Sequence, residues 1–305
     1  MRRAAAFFTS FLLGGMLHAQ NDSTKTDSIR YKQRRAVVWT ANIALPVATH
    51  VALYSTWYSQ YPQSKFHWIN DNGEWMQVDK AGHFFSTYFI AAASAMSFRH
   101  AGYSRRKSAL IGTGVALGFQ TAIEYFDGRS AGWGASSGDL LANAAGAIFG
   151  GAQNFIWGKV KVPVRLTLRR SGYAPYRPEV LGKNLPERML KDYNGQTYWI
   201  DFNPRRMGIE IEHWPKWLGI SLGYGAEGML GGYGNIWHNN NGDVVDMTHI
   251  PRYRQFLFGP SIALGHLKPK NKALRILCLI SEYWRIPLPA VEFNSLGNVK
   301  YHWIY

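Results

Sequence analysis

Hydropathy divides the chain into two halves with different periods. In the first half, four stretches are predominantly apolar, from Ala36 to Tyr58, Ala81 to Phe98, Ser108 to Phe126 and Asp139 to Trp157. Each is about 20 residues long, the length of a helix that crosses a bilayer core. They are rich in Ala, Gly, Ser and Thr, and Gly114/Gly118 and Gly146/Gly150 put small residues one turn apart, a spacing that permits close helix contact. Pro163, Pro175, Pro178 and Pro186 then punctuate a linker with one short helix near Glu187 to Lys191. Beyond it the period becomes two: Thr197 to Phe202, Met207 to His213, Leu218 to Tyr224, Gln255 to Ala263 and Val299 to Tyr305 are expected strands. The predicted fold class is α+β, an antiparallel four-helix bundle of membrane-spanning length followed by an antiparallel β-rich domain. The boundaries are 36–160 for the bundle, 161–196 for the linker and 197–305 for the β-rich domain. An aromatic residue, Tyr305, after an alternating strand is also a feature of outer-membrane barrels, although five or six strands are too few to close one.

Polar residues interrupt three of the apolar stretches at helical spacing. Asp79 and His83, and Asp139 and Asn143, are i,i+4 pairs; Gln120, Glu124 and Asp127 fall at i, i+4 and i+7, so each set shares one helix face. Charge on an apolar face is costly unless it is aimed at a partner, a ligand or water. With short loops and alternating chain direction, the polar ends of all three helices meet at one level. The candidate centre is Asp79, Lys80, His83, Glu124, Asp127, Arg129, Asp139 and Asn143. Glu124 and Asp127 would oppose the dipole at a helix C-terminus and call for a cation, with Lys80, Arg129 or a metal as suppliers.

Charge and the N-terminus suggest the compartment. Arg2 and Arg3, an apolar run from Ala4 to Leu17 and Ala19 before Gln20 have the three parts of a cleaved signal peptide over 1–20, followed by a basic leader over 21–35. The chain carries 34 Lys+Arg against 19 Asp+Glu, a balance that suits an anionic surface. Nucleic acid is excluded as the expected partner, because no zinc-finger, Walker or helix-turn-helix pattern accompanies the charge. Basic clusters at Arg30–Arg35, Arg99–Lys107 and Lys159–Arg170 all fall on one side of an up-down bundle. With a cleaved leader, that side faces away from the cytoplasm, so a Gram-negative envelope location is expected, periplasm-facing or at an outer membrane. An inner-membrane location with an uncleaved leader is the alternative. Cys278 is the single cysteine, so neither a thiol metal cluster nor a lipid-anchoring cysteine near the leader is expected.

Asp79-Lys80-Ala81-Gly82-His83-Phe84, Glu124-Tyr125-Phe126-Asp127-Gly128-Arg129-Ser130, Ser137-Gly138-Asp139 and Asn143-Ala144-Ala145-Gly146 together resemble an uncharacterised family of bacterial envelope proteins, domain of unknown function 2279, of predicted periplasmic lipoprotein type. Their order is also similar to that in VanZ-like membrane proteins. The resemblance spans roughly residues 36 to 157. It implies envelope residence and motif roles for Asp79, Lys80, His83, Glu124, Arg129, Asp139 and Asn143, without implying a reaction.

Three readings of the centre stay open. The residues can be interhelical hydrogen-bonding groups that orient the helices. They can bind a divalent metal through His83, Glu124 and Asp139, or a lipid headgroup through Lys80 and Arg129. They can also form an acid/base or metal-assisted hydrolase acting on a lipid-linked envelope substrate. The expected partners are membrane lipids or an anionic envelope surface. His50, one turn after Pro46, is expected to be a packed histidine beside a proline kink.

Overall fold

The computed structural model describes residues 24–56, 58–239, 241–265, 267 and 269–305; the expected leader over 1–20 lies outside them. The fold mixes helix and sheet, with eight α-helices among the described residues and antiparallel sheets in the C-terminal part. Two compact units are present, one containing the described residues up to Asp71 and Ser86–Val160, the other containing Asn72–Phe85 and Lys161–Tyr305.

The helical unit contains α1 (Thr24–Thr56), most of α2 (Val78–His100), α3 (Arg105–Gly128) and α4 (Ser137–Trp157). Ser104 caps α3 by accepting from the Lys107 N–H, and Ser136 caps α4 by accepting from Gly138 and Asp139. Contacts run in opposite directions along neighbours: Ser86 with Gln120 and Ala95 with Gly112 for α2 and α3, Asn143 with Glu124 and Gly151 with Thr113 for α3 and α4. Both pairs are therefore antiparallel. Two short strands, β1 (Trp68–Ile69) and β2 (Ala135–Ser136), pair in parallel and tie the loop after α1 to the start of α4.

Close packing depends on glycines other than the expected Gly114 and Gly118, around which a Cβ would meet open space. At Gly112 an added Cβ would stand 2.6 Å from Ala91 O and Ala95 N, and at Gly150 it would stand 2.8 Å from Tyr88 O. Backbone atoms cannot rotate away. Gly112→Val is expected to destabilise the unit by about 1–3 kcal/mol, whereas Gly114→Ala is expected to be neutral or stabilising by up to about 1 kcal/mol. Thermal unfolding of the two variants checks the difference.

α2 buries most of its large apolar residues, whereas α1 leaves Val37, Ile43, Val47 and Val51, α3 leaves Leu110, and α4 leaves Leu141, Ile148 and Ile156 exposed. Among the described residues, one helical stretch, Arg30–Ser55 of α1, is long and apolar enough to cross a membrane. His50 packs beside its proline: the ring nitrogens lie 2.8 Å from Pro46 O and 3.0 Å from Phe119 O. It therefore bridges α1 to α3 through backbone groups.

The second unit is built on a six-stranded sheet of β3 (Val164–Leu168), β4 (Gln196–Phe202), β5 (Leu218–Glu227), β8 (Tyr253–Ile262), β9 (Ala290–Asn294) and β10 (Val299–His302), in the order β10-β9-β8-β5-β4-β3. Every neighbouring pair is antiparallel. A separate hairpin of β6 (Ile236–His238) and β7 (Val244–Asp246) carries the Asn-rich tip. Short helices α5 (Pro178–Leu181), α6 (Leu185–Lys191) and α7 (Pro204–Met207), and the longer α8 (Lys272–Ile280), fill the connections.

Expected and observed strands differ in instructive ways. Met207 to His213 is not a strand, because Asn203 caps a helical turn begun by Pro204, and Gly208 ends it at φ 87°. β3 lies inside the stretch expected as a linker, and β9 was not expected at all. The glycines of β5 serve packing, since a Cβ at Gly223 would stand 2.6 Å from the Trp199 indole.

The sheet has an unusual polarity. Its buried face holds Arg165, Thr197, Asp201, Ser221, Gln255 and Glu292 around an apolar cluster of Trp199, Leu257, Ala290 and Tyr305, and the opposite face exposes Ile200, Leu222, Phe256, Phe258 and Phe293. The buried charges are paired and hydrogen-bonded: Arg165 Nη1 lies 2.9 Å from Asp201 Oδ2, and Glu292 accepts from Gln255 at 2.8 Å, with His302 at 2.9 Å. The Arg285 guanidinium sits 3.7 Å above the Trp199 ring.

Candidate functional site

Within the helical unit, acidic side chains gather where α3 ends and α4 begins. Glu124, one turn from the end of α3, is buried and accepts from the Ser136 N–H at 3.2 Å and from Asn143 Nδ2 at 3.3 Å. The Ser136 hydroxyl donates to Asp71, whose loop follows β1, and accepts from the Asp139 N–H at 3.2 Å. One serine thus couples Asp71, Glu124 and the first turn of α4. Asp139 stands at the N-terminal end of its helix dipole, a favourable place for a carboxylate. Glu124 and Asp127 stand at the opposed end of theirs.

Asp127 shows the electrostatic cost. Burial drives its carboxyl above the ordinary range to about 7; the hydrogen bond donated by Tyr58 at 2.9 Å pulls the other way, and the charges of Asp139 and Asp71 add to the rise. The Tyr58 hydroxyl is itself pushed up, by burial first and then by Asp127. Arg129 caps α3 through its backbone, and its carbonyl accepts from Ser64 N–H at 2.8 Å. Its side chain makes no ion pair among the described residues.

Asp79, Lys80 and His83 belong to the first turns of α2, in the second unit. Lys80 Nζ lies 3.0 Å from Asp79 Oδ2. The sheet of the same unit reaches this segment. Tyr198 of β4 lies against Gly82, its ring is 5.7 Å from that of Phe85, and the Asp79 charge helps burial raise its hydroxyl. Trp75, Met76 and Gln77 adopt left-handed φ values of 46°, 50° and 63° just ahead of α2. Met76 O is held there by Tyr224 and, at 2.8 Å, by Arg254. The helix start is thus pinned to the sheet by backbone contacts that no periodicity reveals.

Tyr58 and Asp71 escaped the sequence reading. Tyr58 closes the first apolar stretch, and Asp71 sits in Asn70-Asp71-Asn72-Gly73, which reads as a turn. Ser136 is visible as a helix cap, but its link to Asp71 depends on the β1–β2 pairing.

No curated protein and no solved structure matches the chain. The match described next does not extend to the VanZ-like similarity. A family model described as Predicted periplasmic lipoprotein (DUF2279) matches residues 67–154, a segment that carries Asp71, Ser136 and every candidate residue from Asp79 to Asn143, so this part of the chain is similar to an envelope family of unknown function.

Proposed function

We propose that this is a membrane-associated envelope protein whose helical unit binds a divalent cation through Glu124 and Asp139. The supporting observation is the gathering of Asp71, Glu124 and Asp139 around Ser136. Carboxylate ligands without an imidazole favour Ca²⁺ or Mg²⁺. A cation there would neutralise the charges that crowd Asp127. Membrane association is supported by the apolar stretch of α1, by the basic excess and by the family match. The headgroup reading has less support, because Lys80 is already bonded to Asp79.

Elemental analysis of the full chain, purified in detergent without chelator, tests the proposal. A stoichiometric divalent metal is expected, lost in Asp139→Asn. Re-adding that metal to chelated protein should stabilise it by about 2.7 kcal/mol at a free concentration of roughly 100 times Kd. Absence of both stoichiometric metal and any shift in melting temperature with Zn²⁺, Mn²⁺, Ca²⁺ or Mg²⁺ would leave the cluster as interhelical glue.

A further inference from the structure

We propose that the outward face of the six-stranded sheet lies against the acyl chains of a lipid bilayer. The register assembles apolar rows that no single strand discloses. Ile200 pairs with Leu222, Leu222 with Phe258 and Phe258 with Val291; one step along, Tyr224 pairs with Phe256 and Phe256 with Phe293. Across β4, β5 and β8, Phe202, Ile220 and Pro260 form a third row. Leu222, Phe256 and Phe258 are 50 %, 51 % and 47 % exposed. Scattered apolar residues on a surface need no explanation, but contiguous rows across four strands do.

The other face supplies the argument for lipid. A sheet in water buries its apolar side and solvates its polar side. Here the buried side carries Arg165, Asp201 and Glu292 beside a small apolar cluster of Trp199, Leu257, Ala290 and Tyr305, while the outward side is predominantly hydrocarbon. Alternation with apolar residues outward and polar residues inward is the pattern of strands whose outer solvent is a membrane. The apolar positions of β5 run from Leu218 to Tyr224, about 20 Å of strand, close to the ~25 Å apolar band of membrane β-proteins. At one margin of the band stand the exposed Lys216 and Trp217, residue types that suit phosphate headgroups and the interface. At the other stand Tyr224 and Arg254, in contact with each other. The sheet is open, with β10 and β3 at its edges, so it does not line a pore, and its face rests on one leaflet with the edge backbone groups kept out of the hydrocarbon.

This inference deepens the membrane association proposed above by naming a second contact surface, and its test separates the sheet from α1. Full-length protein carrying Leu222→Cys or Phe258→Cys is labelled with an environment-sensitive fluorophore, and Val47→Cys reports on α1. Cys278 is buried, and the unsubstituted protein measures its background labelling. Each protein is reconstituted into phosphatidylethanolamine/phosphatidylglycerol vesicles with or without brominated acyl chains. Both sheet positions are expected to lose most of their emission in brominated vesicles and to keep it in bromine-free ones. Quenching at position 47 alone would overturn the sheet proposal and leave the α1 anchor standing; quenching nowhere would overturn both. Blue-shifted emission at 222 and 258 that ignores bromine would mean that protein covers the face, and would also overturn the proposal.

Discussion

Replacing Arg165 with Met is expected to destabilise the β unit by about 3–5 kcal/mol, the cost of leaving a buried charge without its partner. Arg165 and Asp201 are each 1 % exposed. The Asp201 carboxylate accepts from the Ser221 and Ser261 hydroxyls, and Arg165 also donates to Ile262 O at 3.0 Å. Two hydroxyls can orient a carboxylate but cannot neutralise it. Arg285, which also feels the Asp201 charge, is committed to the Trp199 face and Ser221, and burial already lowers it to about 10, so it offsets only part of the loss. Adding Asp201→Asn to Arg165→Met should recover much of the loss, since the amide keeps an acceptor for Ser221 while removing the charge. Thermal and denaturant unfolding of the two singles and the double measure the coupling. A cost below about 1 kcal/mol for Arg165→Met would mean that the pair behaves like a solvated surface salt bridge and that water reaches the sheet interior.

The second large effect is a pH dependence set by Asp127. Its carboxyl is raised in the folded protein from the ordinary value of 3.8 to about 7, with burial as the leading cause. A raised folded value means that the native state holds a proton that the unfolded chain has already released. This contribution to stability is complete below pH 4 and is lost as pH rises from 4 through 7. The loss is on the order of 4 kcal/mol over that window. Asp127→Asn keeps an oxygen to accept from Tyr58 and cannot ionise. The stability difference between wild type and Asp127→Asn, measured in the presence of chelator from pH 4.5 to 8, should therefore shift toward the variant as pH rises. A difference that is flat with pH would remove the crowding argument. If the proposed cation binds, adding it back should flatten the wild-type profile, because a divalent charge favours the ionised Asp127.

The helices were legible because their apolar runs are long and their ends carry local signals. Ser104, Ser136 and Gly158 act on their own turns, so α3 and α4 begin and end where the residues say. The strands β4, β5 and β8 were legible from alternation, and the failure at Met207 to His213 shows the limit: a proline after a capping asparagine is a stronger local determinant than period two.

What the sequence by itself determined is therefore local: helix spans, caps, most strands and the face on which Glu124, Asp139 and Asn143 stand. Tertiary structure determined which of those faces meet and what surrounds them. Asp71 reaches Ser136 because β1 pairs with β2, a contact between segments more than 60 residues apart that carries no periodic signal. The polarity of the sheet was undecidable for the same reason. Alternation places Ile200 and Asp201 on opposite faces but does not say which one is inside; that follows only when Arg165 of β3 and Ser261 of β8 arrive beside Asp201 and satisfy its charge.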